Sequence, residues 1–126
     1  MKIGFNAEVV RSKIGEGTKV PHFCHVGDAI IGKNCNIAAG VIFCNFDGEQ
    51  KSVTTIGDNV FIGSGVMLIT SAKHNLRIGD HAYIAAGAII SKDVKPHYLM
   101  IGINKTVKEK RAFKWRLYSI SEHKVW

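Results

Sequence analysis

The sequence predicts an all-β fold, a left-handed parallel β-helix of hexapeptide repeats, and three observations predict it. An aliphatic residue returns every six positions. A second small or apolar residue follows most of these by four. Glycine often stands directly behind the first mark, as in Ile14-Gly15, Val26-Gly27, Ile31-Gly32, Ile56-Gly57, Ile62-Gly63 and Ile78-Gly79. Six is neither the helical period nor plain alternation, so each hexad reads as one short strand and one corner. Three hexads close a triangular coil. A coil cannot bury its own interior, so stacking of coils has to exclude water.

The elements follow in order. Ile3 and Val9 open the ladder, and a five-residue step leads to Ile14. Val20 and Val26 continue it, and a second five-residue step reaches Ile31. Ile37 and Phe43 follow, then Ile56, Ile62 and Leu68, then Ile78, Ile84 and Ile90. The second marks are Thr18, Cys24, Ile30, Cys35, Val41, Val60, Val66, Ala72, Ala82, Ala88 and Val94, all expected at inward corners. Two gaps break the beat, Phe43 to Ile56 and Leu68 to Ile78. They read as loops thrown out of the coil over 47–51 and 73–77, and such excursions gather on one face of a repeat protein and often serve binding. The β-helix is expected over residues 1–95.

Residues 96–126 form a separate basic C-terminal arm. Residues 1–94 carry nine Lys and Arg against eight Asp and Glu, while 95–126 carry eight against two. Within the arm Phe113, Leu117 and Ile120 keep helical spacing among Lys108, Lys110, Arg111, Lys114 and Arg116, which reads as a short basic amphipathic helix. The arm has no recognised nucleic-acid motif, so nucleic acid is not the expected partner. There is no run of about 18 apolar residues, hence no expected membrane span or membrane partner, and no signal-peptide pattern at the start. Cys24, Cys35 and Cys44 are odd in number and not closely paired. Cys24 and Cys35 fall at inward positions and read as reduced core residues of a cytoplasmic protein, with no metal site expected.

One stretch is more specific than the repeat. Lys13-Ile14-Gly15-Glu16-Gly17-Thr18-Lys19-Val20-Pro21-His22 is followed by Val26-Gly27-Asp28-Ala29, by Asn36-Ile37-Ala38-Ala39-Gly40 and by Cys44-Asn45-Phe46-Asp47-Gly48, then by Lys51 and Ile56-Gly57-Asp58-Asn59. From about residue 4 to about residue 109 the chain resembles the hexapeptide-repeat acyltransferases. Within that superfamily it resembles the acetyltransferase domain of the bacterial bifunctional enzyme that makes UDP-N-acetylglucosamine, without the uridyltransferase domain. The resemblance implies an acetyl-CoA-dependent N-acetyltransferase with an amino-sugar acceptor, working as a homotrimer. It implies that His22 is the general base and that Glu8 orients it. An ammonium has no lone pair, so something must take its proton near neutral pH, where imidazole titrates. It also implies that Asn36 and Asn45 contact the sugar and the reacting acetyl group, that the Ala39 N–H donates to the thioester oxygen, and that Ser64 and Ala86 line the CoA groove. His25 and Phe46 fall where the family has tyrosines at the sugar, Lys51 where it has a basic residue closing over the acceptor. Lys105 and Lys108 are the candidates for the CoA phosphates.

The departures concern the acceptor. The family's phosphate-binding Lys is Val10 here, its upstream Arg has no counterpart, and Arg11 is the adjacent candidate substitute. Losing such a clamp removes charge-assisted bonds of roughly 1.5 to 3 kcal/mol each. Two other readings stand beside the enzyme: a non-catalytic trimeric scaffold or binding module derived from it, and a hexapeptide metalloenzyme. The second needs three converging histidines, and His22, His25, His74 and His81 lack the close pair expected of it.

Overall fold

In the computed structural model, which describes residues 1–71 and 74–102, the chain winds through five stacked coils. The first coil carries β1 (Lys2–Ile3), β2 (Glu8–Val10) and β3 (Lys13–Ile14). The second carries β4 (Lys19–Val20), β5 (His25–Gly27) and β6 (Ala29–Ile31), the third β7 (Asn36–Ile37), β8 (Ile42–Cys44) and β9 (Thr54–Ile56). The fourth carries β10 (Phe61–Ile62), β11 (Met67–Ile69) and β12 (Leu76–Ile78), the fifth β13 (Tyr83–Ile84) and β14 (Ile89–Ile90), and β15 (Leu99–Met100) follows. Val94 completes the fifth coil by a parallel bridge to Ile78. The expected basic helix, Ala72 and Lys73 lie outside the described residues.

Equivalent strands pair in parallel into the three faces of a left-handed prism. Sheet A is β1-β4-β7-β10-β13-β15, sheet B is β2-β5-β8-β11-β14 and sheet C is β3-β6-β9-β12. Like residues therefore stack: Ile37 on Ile62 on Ile84 in sheet A, Phe43 on Leu68 on Ile90 in sheet B, Ile31 on Ile56 on Ile78 in sheet C. These nine side chains are nearly or wholly buried and form one continuous core with Val20, Val26, Val60 and Val66. The close stacking explains the glycines behind the first mark. A Cβ on Gly32 would stand 2.7 Å from the carbonyl carbon of Gly57 in the next coil, so coil spacing excludes any side chain there.

One inward expectation is corrected. Ile30 is 49% exposed and faces out beside Lys13 and Thr55, while Ala29 is buried in its place. The five-residue step before Ile31 removes one residue from the corner, and β6 resumes alternation with Ala29 and Ile31 inward. Thr18, Cys24, Cys35, Val41, Val60, Val66, Ala82, Ala88 and Val94 are inward as expected. All three cysteines are free. The Cys24 and Cys35 thiols donate to the carbonyls of Ala38 and Gly57, each at 3.0 Å, and burial pushes the Cys35 thiol up from its ordinary range.

Candidate active site

The chain turns from sheet A to sheet B once per coil, and these turns stack into a column along one edge of the prism. Gly40 N donates to the carbonyl of His22 at 3.2 Å, Gly65 N to that of Ala39 at 2.9 Å, and Gly87 N to that of Ser64 at 2.9 Å. The three glycines have φ of 74°, 70° and 77°, the left-handed conformation that the turn demands and that glycine adopts without steric cost. Ala86 sits directly beside Gly63, whose missing side chain permits the approach. So His22, Ala39, Ser64 and Ala86, scattered over 64 positions of sequence, come together in one column. The N–H groups of Ala39, Ser64 and Ala86 find no acceptor among the described residues. A row of unpaired N–H groups on a rigid turn is a ready donor set for carbonyl or developing oxyanion oxygens. His22 is exposed at the end of this column and lines an open cavity of about 450 Å³ with Lys2, Ile3, Phe5 and Pro21. Asn36 is exposed on sheet A, in register between Lys19 and Phe61, whose ring stacks on Tyr83 at 4.6 Å.

The remaining predicted residues lie at the opposite ends of the sheet B strands. Asn45 follows β8 and is only 8% exposed. Its Nδ2 donates to Asp28 Oδ2 at 2.5 Å, and Asp28 accepts Arg11 Nε at 2.7 Å and a second Arg11 N–H at 3.0 Å. Arg11, and after it the Asn45 amide, hold the Asp28 carboxyl down to about 2 against a burial effect that raises it; the Lys51 charge adds to the lowering. Beyond Asn45 the chain makes the expected excursion, closed by an antiparallel bridge between Phe46 and Lys51. Asp47 Oδ1 caps its tip by accepting the N–H groups of Glu49 and Gln50. Phe46 and Lys51 are both exposed. A second open cavity, about 430 Å³, adjoins this corner between Arg11, Asp28, Ile30 and Val53.

Between the two ends, on the outer face of sheet B, stand Glu8 and His25. The resemblance implies that Glu8 orients His22. The structure instead gives Glu8 to His25, its register partner on the adjacent strand, with Oε1 2.7 Å from Nδ1. Arg11, the candidate substitute for the family's phosphate-binding Lys, is paired with Asp28 through two bonds. The pairs Glu8–His25 and Arg11–Asp28 share a spacing of 17 residues. That spacing was readable: the five-residue steps shorten the first coils from 18 to 17, which stacks Glu8 on His25 and Arg11 on Asp28. Lys105 and Lys108 lie outside the described residues. Among the described residues no group of three or more His, Cys, Asp or Glu comes together to hold a metal ion, and no helix is long and apolar enough to cross a membrane.

Residues 11–45 match the family described as bacterial transferase hexapeptide (six repeats). The chain is 47% identical over 116 residues to the bifunctional protein GlmU of Thermotoga petrophila, a match covering 91% of this chain and 25% of the relative. It is 51% identical over 94 residues to the protein of the same name from Listeria monocytogenes serotype 4a, covering 75% of this chain and 20% of that one. The chain thus spans about a quarter or less of the length of these relatives. Among solved structures, a maltose O-acetyltransferase from Clostridium difficile 630 superposes with a TM-score of 0.66 at 26% identity, over 86% of this chain and 67% of that one. A perosamine N-acetyltransferase mutant from Caulobacter crescentus, in complex with CoA and GDP-perosamine, gives a TM-score of 0.61 at 17% identity, over 86% and 53% of the two chains, a likeness of fold alone.

Proposed function

The chain belongs to the hexapeptide-repeat acyltransferase superfamily, and on that footing we propose that it is an acetyl-CoA-dependent N-acetyltransferase acting on an amino sugar. One observation carries this reading: the column of His22, Ala39, Ser64 and Ala86, in which three N–H groups lack an acceptor among the described residues. An extended thioester cofactor can lie along such a column, with the Ala39 N–H on the thioester oxygen. When the amine attacks, that oxygen gains charge, and a fixed donor stabilises it without reorganisation. The amine proton passes to an imidazole, the role that the resemblance gives to His22.

The working form is a homotrimer. Two features of the single chain support this. The outer face of sheet B carries Ile42, Met67 and Ile89 in register, with Met67 43% and Ile89 67% exposed. An apolar stripe of this kind is an association surface. The candidate site is also split. His22, Ala39, Ser64 and Ala86 stand before the sheet B strands, and Asn45, Phe46 and Lys51 stand after them. A neighbouring copy would bring one chain's first set against another chain's second.

The acceptor is an amino sugar not gripped through a phosphate. Val10 offers no charge, and Arg11 is neutralised by Asp28. The test is thiol release from acetyl-CoA over a panel of amino sugars and their phosphates. We expect turnover with unphosphorylated or nucleotide-linked amino sugars and little gain from a 1-phosphate. No release with any amine, and no heat on titration with acetyl-CoA, would favour the scaffold reading.

A further inference from the structure

We infer that Phe5 and Phe23, the two exposed aromatic rings next to His22, form the platform on which the pyranose ring of the acceptor lies. The inference rests on the acetyl-transfer reading and adds two acceptor-binding residues to it.

The first observation is placement. β1 lies on β4 with Lys2 on Lys19 and Ile3 on Val20, and the same step carries Phe5 to His22. The next turn follows, where Gly40 N donates to the His22 carbonyl beside Ala39. Phe5, His22 and Ala39 are thus successive rungs of one column, about 4.8 Å apart. With the thioester at Ala39 and the amine at His22, the rest of an acceptor extends over Phe5. Phe5 is 88% exposed and shares with His22 the open cavity of about 450 Å³. Ile3 and Pro21 add apolar walls and Lys2 a cation, the mix of apolar lining and few polar groups that suits a small ligand.

The second observation is the backbone of Phe23. It occupies the turn position that Gly40, Gly65 and Gly87 hold in the next three coils, and its φ is 48°. Eight non-glycine residues among those described have positive φ, and Phe23 alone of them has a wholly apolar side chain. The left-handed region is unfavourable for a bulky side chain. Burial does not offset this cost, because Phe23 is 64% exposed. A strained residue that the fold neither needs nor buries, one position after the expected base, points to a role in binding.

The chemistry fits an uncharged ring. The face of a phenyl group carries negative charge density and the C–H face of a pyranose carries partial positive charge, so the two stack. Such a contact orients the sugar without gripping a phosphate. It leaves the ring hydroxyls to polar groups such as Lys2.

The test measures KM for glucosamine, acetyl-CoA affinity by calorimetry, urea unfolding and sedimentation on the full chain and three variants. Phe23→Gly should raise KM about tenfold. Its urea midpoint should hold or rise, because glycine takes this turn without strain. Phe5→Leu, which stays apolar but loses the aromatic face, should also raise KM about tenfold, whereas Phe5→Tyr should keep the wild-type value. Acetyl-CoA affinity should not change in any of them. A KM within about twofold of the wild type in both Phe23→Gly and Phe5→Leu overturns the platform and leaves acetyl transfer standing. Loss of the trimer in either variant places the rings in an interface and also overturns it. A readout apart from turnover is saturation transfer in magnetic resonance. Irradiating the aromatic protons should carry saturation to the ring protons of glucosamine in the wild type, and less in Phe23→Gly and Phe5→Leu. Equal transfer in all of them overturns the platform. A wild type that shows this transfer yet acetylates no amine overturns acetyl transfer instead.

Discussion

Met67→Asp tests association through the sheet B face. Met67 stands in register between Ile42 and Ile89, its side chain outward and 43% exposed in the single chain. In a lone solenoid the change touches only a strand surface, where substitutions span about 1 kcal/mol. In a trimer joined through this stripe the same carboxylate would be buried against two aliphatic neighbours with no cation beside it. Removing a large apolar side chain from such an interface forfeits part of the roughly 1.5 to 3 kcal/mol that its full burial is worth. Burying the unpaired charge costs about 3 to 5 kcal/mol more. Over three copies the penalty is at least about 10 kcal/mol. At about 1.4 kcal/mol per tenfold change, that carries the assembly past dissociation at micromolar concentration. Sedimentation velocity should therefore give a trimer for the wild type and a folded monomer for the variant, with matching far-ultraviolet circular dichroism. Acetyl transfer should vanish with the trimer, because Asn45 and Lys51 then no longer meet a neighbour's Ala39. A variant that stays trimeric at low micromolar concentration would refute the assignment of this face, and an active monomer would refute the shared site.

Three further outcomes concern the fold. Leu68 is wholly buried between Phe43 and Ile90, so Leu68→Ala should cost about 2 to 5 kcal/mol in urea unfolding; a loss under about 1 kcal/mol would mean the ladder is loosely packed. Gly32→Ala should destabilise by about 1 to 3 kcal/mol, since its Cβ would press on the Gly57 backbone, and an unchanged urea midpoint would contradict that coil spacing. The Asp28 carboxyl is held at about 2, below its ordinary 3.8, so its contribution is in place above about pH 4 and is lost as pH falls through 2. Between pH 4 and pH 2 the wild-type urea midpoint should thus drop more than that of Arg11→Met, and parallel drops would remove Arg11 as the cause.

Most of the interior was legible because one physical rule governs it. Stacked coils need the same kind of side chain at the same corner, and Ile37, Ile62 and Ile84 or Phe43, Leu68 and Ile90 obey that rule whatever lies between them. The excursion at 47–51 was legible as a break in it, while the one expected over 73–77 is corrected: Ser71 and His74 already bridge, and Leu76 and Arg77 belong to β12, paired with Thr54 and Thr55. Ile30 was misplaced because the beat counts residues, while a strand decides inward and outward by alternation, and the shortened corner put the two in conflict. The partners of Glu8 and Arg11 follow from coil length rather than from the hexad, since a coil of 17 residues brings Glu8 to His25 and not to His22. Nothing in the spacing alone says that His25 and Asn45 lean together over Gly27, because that depends on side-chain directions across two strands.

Label transfer is the most direct test of acetyl transfer to an amine. Acetyl-CoA labelled at the acetyl carbonyl carbon would be incubated with the protein and an amino sugar, and the label followed by carbon magnetic resonance. The thioester carbonyl signal should be replaced by an amide signal on the sugar, with one thiol released per amide formed. A label that stays on CoA, or that appears only as free acetate, would contradict it.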